Sequence, residues 1–365
     1  MSAKPVEMSP TSTLTLQKAL AHIAQRAHAL DLEPRFPQED FADLKAAGVL
    51  QAAAVEPGEL LSEIALVRAV AAADASTARI LDGHFNGVER LFRGAQDGLR
   101  ERELQGIRDG RLLLGVWGAD PAPGEGPPAQ LLCKEGRLYL RGVKVFCSGA
   151  GGVQRALVVA TNEQRQRRLA YLDTSEGIVI DPGWYRASGL RSSESHRVEF
   201  HDTPVIAVLG EGGELAAEPW FSRDAVRTTA TWVGLCDCIV RSTLQLTDPE
   251  RASEVQAHGI GRMLVAHATI ERWLSYAVSQ LSDSNRSGDD DDEDPGRLAA
   301  LCRVAISDAS REIAALSATI CGSRALAGGG ALERARRDLD VFLLQHRLDP
   351  KITVLGQKAL QDLPR

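Results

Sequence analysis

Apolar positions recur along this chain with two different periods, and the order in which the periods appear predicts the architecture. From Leu14 to about Arg111 the spacing is helical, with alanine-rich stretches such as Leu16–Ile23 and Ile64–Ala73. Between them, Phe36 to Leu50 reads as a short amphipathic helix ended by Gly48. The period then shortens to two. Arg137–Arg141 and Lys144–Cys147 alternate, Arg155–Thr161 has the continuous apolar character of a buried strand, and Leu169–Leu172, Ile178–Ile180 and His196–Phe200 follow. Turn signals at Lys134–Gly136 and Ser148–Gly152 separate these strands. After Pro219 the helical period returns and runs to the end, broken by the acidic block 282–294. Near that end, Leu339, Phe342, Leu343 and His346 fall on one stripe of a helix that Pro350 is expected to stop.

The expected fold class is therefore α+β and multi-domain. A loose leader (1–13) precedes an N-terminal helical domain (14–112), a central antiparallel β domain (113–213) and a C-terminal helical region (214–365). The acidic block repels itself and buries nothing, so it reads as a loop between helices. No internal repeat is evident. With 365 residues, the chain is long enough to bury a substantial core in two or three subdomains around one site.

Charge and composition narrow the function. The net charge is −7, from 42 basic and 49 acidic residues without a basic stripe, which argues against nucleic acid and anionic membranes as partners. No apolar run approaches a membrane span and the N-terminus lacks a signal-peptide plan, so the expected location is cytoplasmic. Six cysteines lack paired metal spacing and are read as reduced core thiols. His258 and His267 stand nine apart, too far for a helical i, i+4 metal pair, so no metal is expected. Ser195 and Cys147 lack the elbow of a covalent nucleophile.

Two features carry chemistry. Gly322 and the run Gly328–Gly330 permit close backbone approach to a flat polar ring or a phosphate. His346, on an apolar stripe, needs a partner or a purpose. Four segments, in order along the chain, give these features a context. Phe36-Pro37 with Leu44 and Ala47–Leu50, then Gly142–Ala150, then Gly189–Val205, then Cys321–Asp338 together resemble the acyl-CoA dehydrogenase superfamily. That resemblance implies an N-terminal helical domain, a central β-barrel-like domain and a C-terminal four-helix bundle. It also implies FAD, with FMN as the other flavin, and a homodimer or homotetramer.

The resemblance further implies that Phe146 packs against the flavin and that the Ser148 hydroxyl bonds its N5/O4 edge. Phe stands where the family usually has Trp, and Ser where it usually has Thr; a π face and an oxygen are retained. The alternative is that Phe146 is core and Ser148 a turn former. Val116, Trp117 and Gly118 belong to the second flavin-facing segment, in which Ala119 replaces the usual threonine, and Gly322 and Ser323 to the glycine segment. The family's pyrophosphate-binding Arg is missing after Leu246, leaving Arg251 or Arg262 as substitutes.

Three functions follow as expectations. In the first, an acyl thioester is dehydrogenated, with His346 or Asp224 as the base and an electron-transfer flavoprotein as partner. The second is a two-component monooxygenase of the same fold, supplied by a flavin reductase and acting on an aromatic substrate. Its resemblance lies in Ala78–His84 and Asp338–His346, and it gives His84 and His346 the handling of protons. In the third, the protein is a scaffold that has kept the fold and lost flavin.

Overall fold

A computed structural model describes residues 14–210, 217–282, 294–345, 347–361 and 363. The expectations for the leader, for most of the acidic block and for His346 fall outside these residues. The chain forms two compact units. The first takes residues up to Leu66, Ser76–Arg186 and Arg191–Ala217; the second takes Val67–Ala75, Ala187–Leu190 and Glu218–Arg365.

Helices open the first unit: α1 (Leu16–Leu32), α2 (Gln38–Ala46), α3 (Val49–Val55), the start of α4 (Leu60–Ala71), α5 (Ala75–Gly94) and α6 (Asp97–Arg108). Thr15 starts α1 by accepting a hydrogen bond from the Lys18 N–H at 3.3 Å. The amphipathic helix expected over Phe36–Leu50 ends as the pattern requires, because Gly48 adopts φ +76° and turns the chain from α2 into α3.

Among the described residues eight strands follow: β1 (Leu114–Trp117), β2 (Gln130–Lys134), β3 (Arg137–Cys147), β4 (Arg155–Thr161), β5 (Arg167–Asp173), β6 (Ile178–Asp181), β7 (His196–Pro204) and β8 (Ala207–Leu209). They form one sheet in the order β6-β7-β3-β2-β4-β5-β8, with β1 lying parallel to β4. The pairings are antiparallel except β1 with β4 and β2 with β4. Arg137–Arg141 and Lys144–Cys147, separate in the pattern, are one continuous strand. Its pairing with β7 slips: Lys144 faces Val198, yet Cys147 faces His196, so β3 carries one extra residue there. Such a bulge re-aims a side chain.

In the second unit α7 (Trp220–Leu246), α8 (Glu254–Ser282), α9 (Pro295–Ala327) and α10 (Ala331–Leu344) pack together, followed by α11 (Asp349–Gln361). Asp294 caps α9 by accepting from the Gly296 N–H at 3.0 Å, with Pro295 in the first turn. The core here is built around Trp232, whose ring meets Phe342 edge-on at 6.2 Å. Leu339, Phe342 and Leu343 are buried as their spacing requires. Pro350 does not stop this helix. It lies in the first turn of α11, where its missing N–H costs no helical bond and its fixed φ favours a start.

The cysteines also depart from expectation. All six are free, but Cys133 is exposed and Cys321 only partly covered, so four are core thiols. Among the described residues, no helix is long and apolar enough to cross a membrane.

Candidate flavin site

In the first unit, the bulge decides what β3 presents. Phe146 sits at φ +52° and is 45% exposed as a residue, between the buried Val145 and Cys147. A large aromatic side chain in a left-handed conformation is uncommon, and the surrounding strand register is what holds it there. Its ring is braced edge-on by Trp184 at 4.9 Å and by Tyr185 at 6.4 Å. Trp184 is in turn anchored through its Nε1–H, which donates to Glu125 Oε1 at 3.2 Å. Phe146 is thus an apolar face held out from the strand, and the reading of it as core does not fit its exposure.

Ser148 follows directly. Its backbone carbonyl accepts from the Trp117 indole N–H at 3.1 Å, and its hydroxyl lies 2.9 Å from that of Ser195. Ser195 Oγ lies 2.7 Å from Ser193 Oγ. The turn after Ser148 is tied to the same segment, for the Gly149 and Ala150 N–H groups donate to the carbonyls of Ser193 and Glu194. Trp117 is fully buried, so its side chain positions Ser148 from within the core. Val116 on β1 and Gly118 just after it, to either side of Trp117, are partly open. Lys144, buried on β3, donates from Nζ to the Gly118 carbonyl at 3.1 Å and to Asp120 at 2.5 Å, which fixes the end of that segment. Burial holds the Lys144 amine below its ordinary range even though Asp120 opposes the shift.

His84 lies on α5 and is wholly buried. Its Nδ1 accepts the Leu114 N–H at 3.1 Å, which leaves the proton on Nε2, and Nε2 donates to the Leu50 carbonyl at 3.0 Å. Burial pushes its pKa down to about 4, against the pull of the Leu50 bond. Both ring nitrogens are thereby engaged, pinning α3 and β1 to α5.

In the second unit, Gly322 interrupts α9 with φ 71° and ψ 177°, and both it and Ser323 are exposed. The Arg337-Asp338 pair on α10 holds the segment 187–190. Asp338 Oδ1 accepts the Leu190 N–H at 2.6 Å, and Arg337 donates to the Ser188 carbonyl. Asp224, on the first turns of α7, is engaged by the buried Arg227 guanidinium at 2.6 Å. Arg251 and Arg262 are exposed and face Asp248 and Glu312. Asp237, His267 and Glu271 bring ligand-type atoms within 4.8 Å of one another. The Arg68 guanidinium is the cation among them, donating to both oxygens of Asp237 at 2.6 and 2.9 Å and to Glu271.

The sequence pattern did not single out Trp184, Tyr185 or the serine chain. Ser193 and Ser195 stand in the Gly189–Val205 segment that resembled the superfamily, but only the folded register shows that Ser195 meets Ser148 and Ser193 meets Ser195.

Among solved structures, the chain superposes on TdsC, the dibenzothiophene monooxygenase of Paenibacillus sp. A11-2, in a complex with FMN and indole. The TM-score is 0.84 at 16% identity, covering 95% of this chain and 96% of that one. Methanesulfinate monooxygenase MsuC of Pseudomonas fluorescens gives 0.82 at 22% identity with 98% of each chain covered. KijD3 in complex with dTDP gives 0.83 at 21% identity with 95% of each covered. The chain has the acyl-CoA dehydrogenase fold. No family model matches its sequence, and no curated protein does. At these identities the likeness speaks for the fold, while the chemistry must be argued from the site.

Phe146 and Ser148 meet the demands of a flavin. An isoalloxazine is flat and apolar on its faces and carries hydrogen-bonding atoms along one edge. An exposed, braced aromatic face beside a hydroxyl two residues on matches both properties.

Proposed function

We propose that this protein is a flavin-dependent oxidoreductase, binding FMN or FAD, and that it acts as a monooxygenase on a small organic molecule with reduced flavin delivered by a separate reductase. The observation that carries the reading is the exposed Phe146 ring, held by the β3 bulge beside the Ser148 hydroxyl. In this reading Phe146 packs against the ring, Ser148 hydrogen-bonds its edge, and the backbone of Val116 and Gly118 supplies further polar contacts. Gly322 and Ser323 are proposed as additional cofactor contacts.

When bound, flavin supplies two-electron transfer and the reaction with dioxygen. The chain's own part is to orient and to exclude water. Trp117 fixes the Ser148 backbone from the core, and Trp184 and Tyr185 keep the Phe146 ring from collapsing onto the strand. His84 is not asked for a proton, because both of its nitrogens are engaged. Proton handling falls to His346 in this proposal.

Monooxygenation is preferred to dehydrogenation of an acyl thioester because, of the two bases offered for the latter, the carboxylate is not free and His346 serves the former equally well. The carboxylate offered for that task, Asp224, is engaged by a buried arginine. FMN is preferred to FAD, since Arg251 and Arg262 are already faced by carboxylates and the family's pyrophosphate arginine is absent.

Titration of the purified protein with FMN and with FAD, followed by flavin fluorescence, tests the reading. Saturable binding, with oxygen uptake coupled to product when a reductase is added, supports it. Failure to bind either flavin would leave a scaffold that has lost the cofactor. Anaerobic bleaching of bound flavin by an acyl thioester without a reductase would replace monooxygenation with dehydrogenation.

A further inference from the structure

Lys144 brings a positive charge into the core of the first unit. Its side chain is 1% exposed, whereas that of its partner Asp120 is 51% exposed, so the two ends of this ion pair sit in different media. Water screens the carboxylate, while protein surrounds the ammonium, and the field that reaches the interior is that of the cation. Asp120 offsets the cost of burying the amine from the solvent side. The other groups that act on the amine do not cancel its charge. Burial keeps the proton on the Cys147 thiol, and Arg167 is itself positive. The charge also lies where the proposed cofactor contacts meet. Lys144 Nζ donates to the Gly118 carbonyl at 3.1 Å, the Val145 N–H donates to the Ala119 carbonyl at 3.1 Å, and Phe146 comes next. Residues 144–146 of β3 thus set a cation, the neighbouring backbone and the exposed ring in one place.

We propose that Lys144 is a specificity-determining residue whose buried charge makes the site prefer reduced flavin to oxidised flavin. This rests on the flavin reading above and adds to it the form of the cofactor that the chain is built to capture. Transfer of a hydride to the ring on the reductase adds two electrons and one proton, so the reduced ring carries one more negative charge than the neutral oxidised ring. A cation held behind the backbone of Gly118 stabilises that anion and acts little on the neutral ring. Such a bias serves capture from a separate reductase, because oxidised flavin competes for the same place.

The test compares two dissociation constants in each protein, one for oxidised FMN and one for FMN reduced under anaerobic conditions. The midpoint potential of bound FMN reads their ratio independently. The parent protein is expected to bind reduced FMN about tenfold more tightly, or better. Lys144→Met removes the charge and leaves the half-exposed Asp120 in water, so no unpaired charge remains in the core. It should cost reduced FMN about tenfold more affinity than oxidised FMN, which for a two-electron couple lowers the midpoint potential by about 30 mV. Lys144→Gln keeps an N–H donor without the charge. It should lose the same preference, and it serves where Lys144→Met folds poorly.

Equal weakening of both forms in Lys144→Met, or the parent's preference retained in Lys144→Gln, would show that Lys144 only shapes the Gly118 segment and would overturn the proposal. So would a parent protein that binds oxidised FMN as tightly as reduced FMN, a result that needs no variant to fold. These outcomes differ from failure of the flavin reading itself, in which the parent protein binds neither form.

Discussion

At the scale of single residues, Phe146 and His84 show how far residue type and spacing reach. The resemblance placed a π face at position 146, and the residue stands half-exposed on a bulge with a left-handed backbone. Neither the bulge nor the bracing by Trp184 is visible in the sequence, because both depend on how β3 pairs with β7 and on a loop far away in the chain. Phe146→Ala is expected to leave the fold intact, since the ring is not part of the core, and to remove a stacking contact of about 1 kcal/mol. FMN affinity should fall roughly fivefold, read by fluorescence titration, and affinity equal to that of the parent protein would remove Phe146 from the site. His84 shows the opposite case. The resemblance of Ala78–His84 to the monooxygenases of the fold suggested chemistry, but the ring's two hydrogen bonds go to backbone groups that no local pattern identifies.

At the scale of elements, the two periods of the apolar pattern gave the order of helices and strands because burial alone sets those periods. What they could not give were the positions at which the backbone departs from the period. Pro350 was read as a stop and is a start, and Gly322 interrupts α9 just beyond Ile320, the last buried position of that helix. Gly322 combines φ 71° with ψ 177°, a region open essentially to glycine, while nothing lies within 4 Å of where a Cβ would stand. Gly322→Ala should therefore act through backbone strain alone, destabilising the protein by roughly 1–3 kcal/mol in urea denaturation. A variant as stable as the parent would mean that the break in α9 has another cause. Gly234 is the converse. Its φ is helical, but a Cβ would collide with the Arg68 carbonyl, so Gly234→Ala should destabilise by pushing apart the close approach between α7 and the Val67–Ala75 segment. A melting temperature unchanged from the parent's would show that the approach can relax without cost.

At the scale of the whole molecule, acid acts on different groups in the two units, and this gives stability a two-part dependence on pH. In the first unit, an unfolded chain takes up a proton at His84 as pH falls through 6.5, whereas in the fold burial delays protonation to about 4. The contribution of His84 is complete above pH 6.5 and is lost progressively down to about 4, amounting to roughly 3 kcal/mol over that window. In the second unit, burial would raise the Asp237 carboxyl, but hydrogen bonds from His267 and Arg68 outweigh burial and hold it below its ordinary value of 3.8. Its contribution is present above that value and is lost only as pH falls further. Denaturation midpoints measured from pH 7.5 to 3 should accordingly begin to decline near 6.5 and continue to decline below about 4. His84→Gln should be less stable at neutral pH, because glutamine cannot reproduce both ring bonds, but should flatten the first window and leave the second in place. Asp237→Asn should do the reverse. A parent protein whose stability is constant between pH 6.5 and 4 would mean that the His84 ring is not held neutral between Leu50 and Leu114, and with it would go the structural reason for assigning proton handling elsewhere.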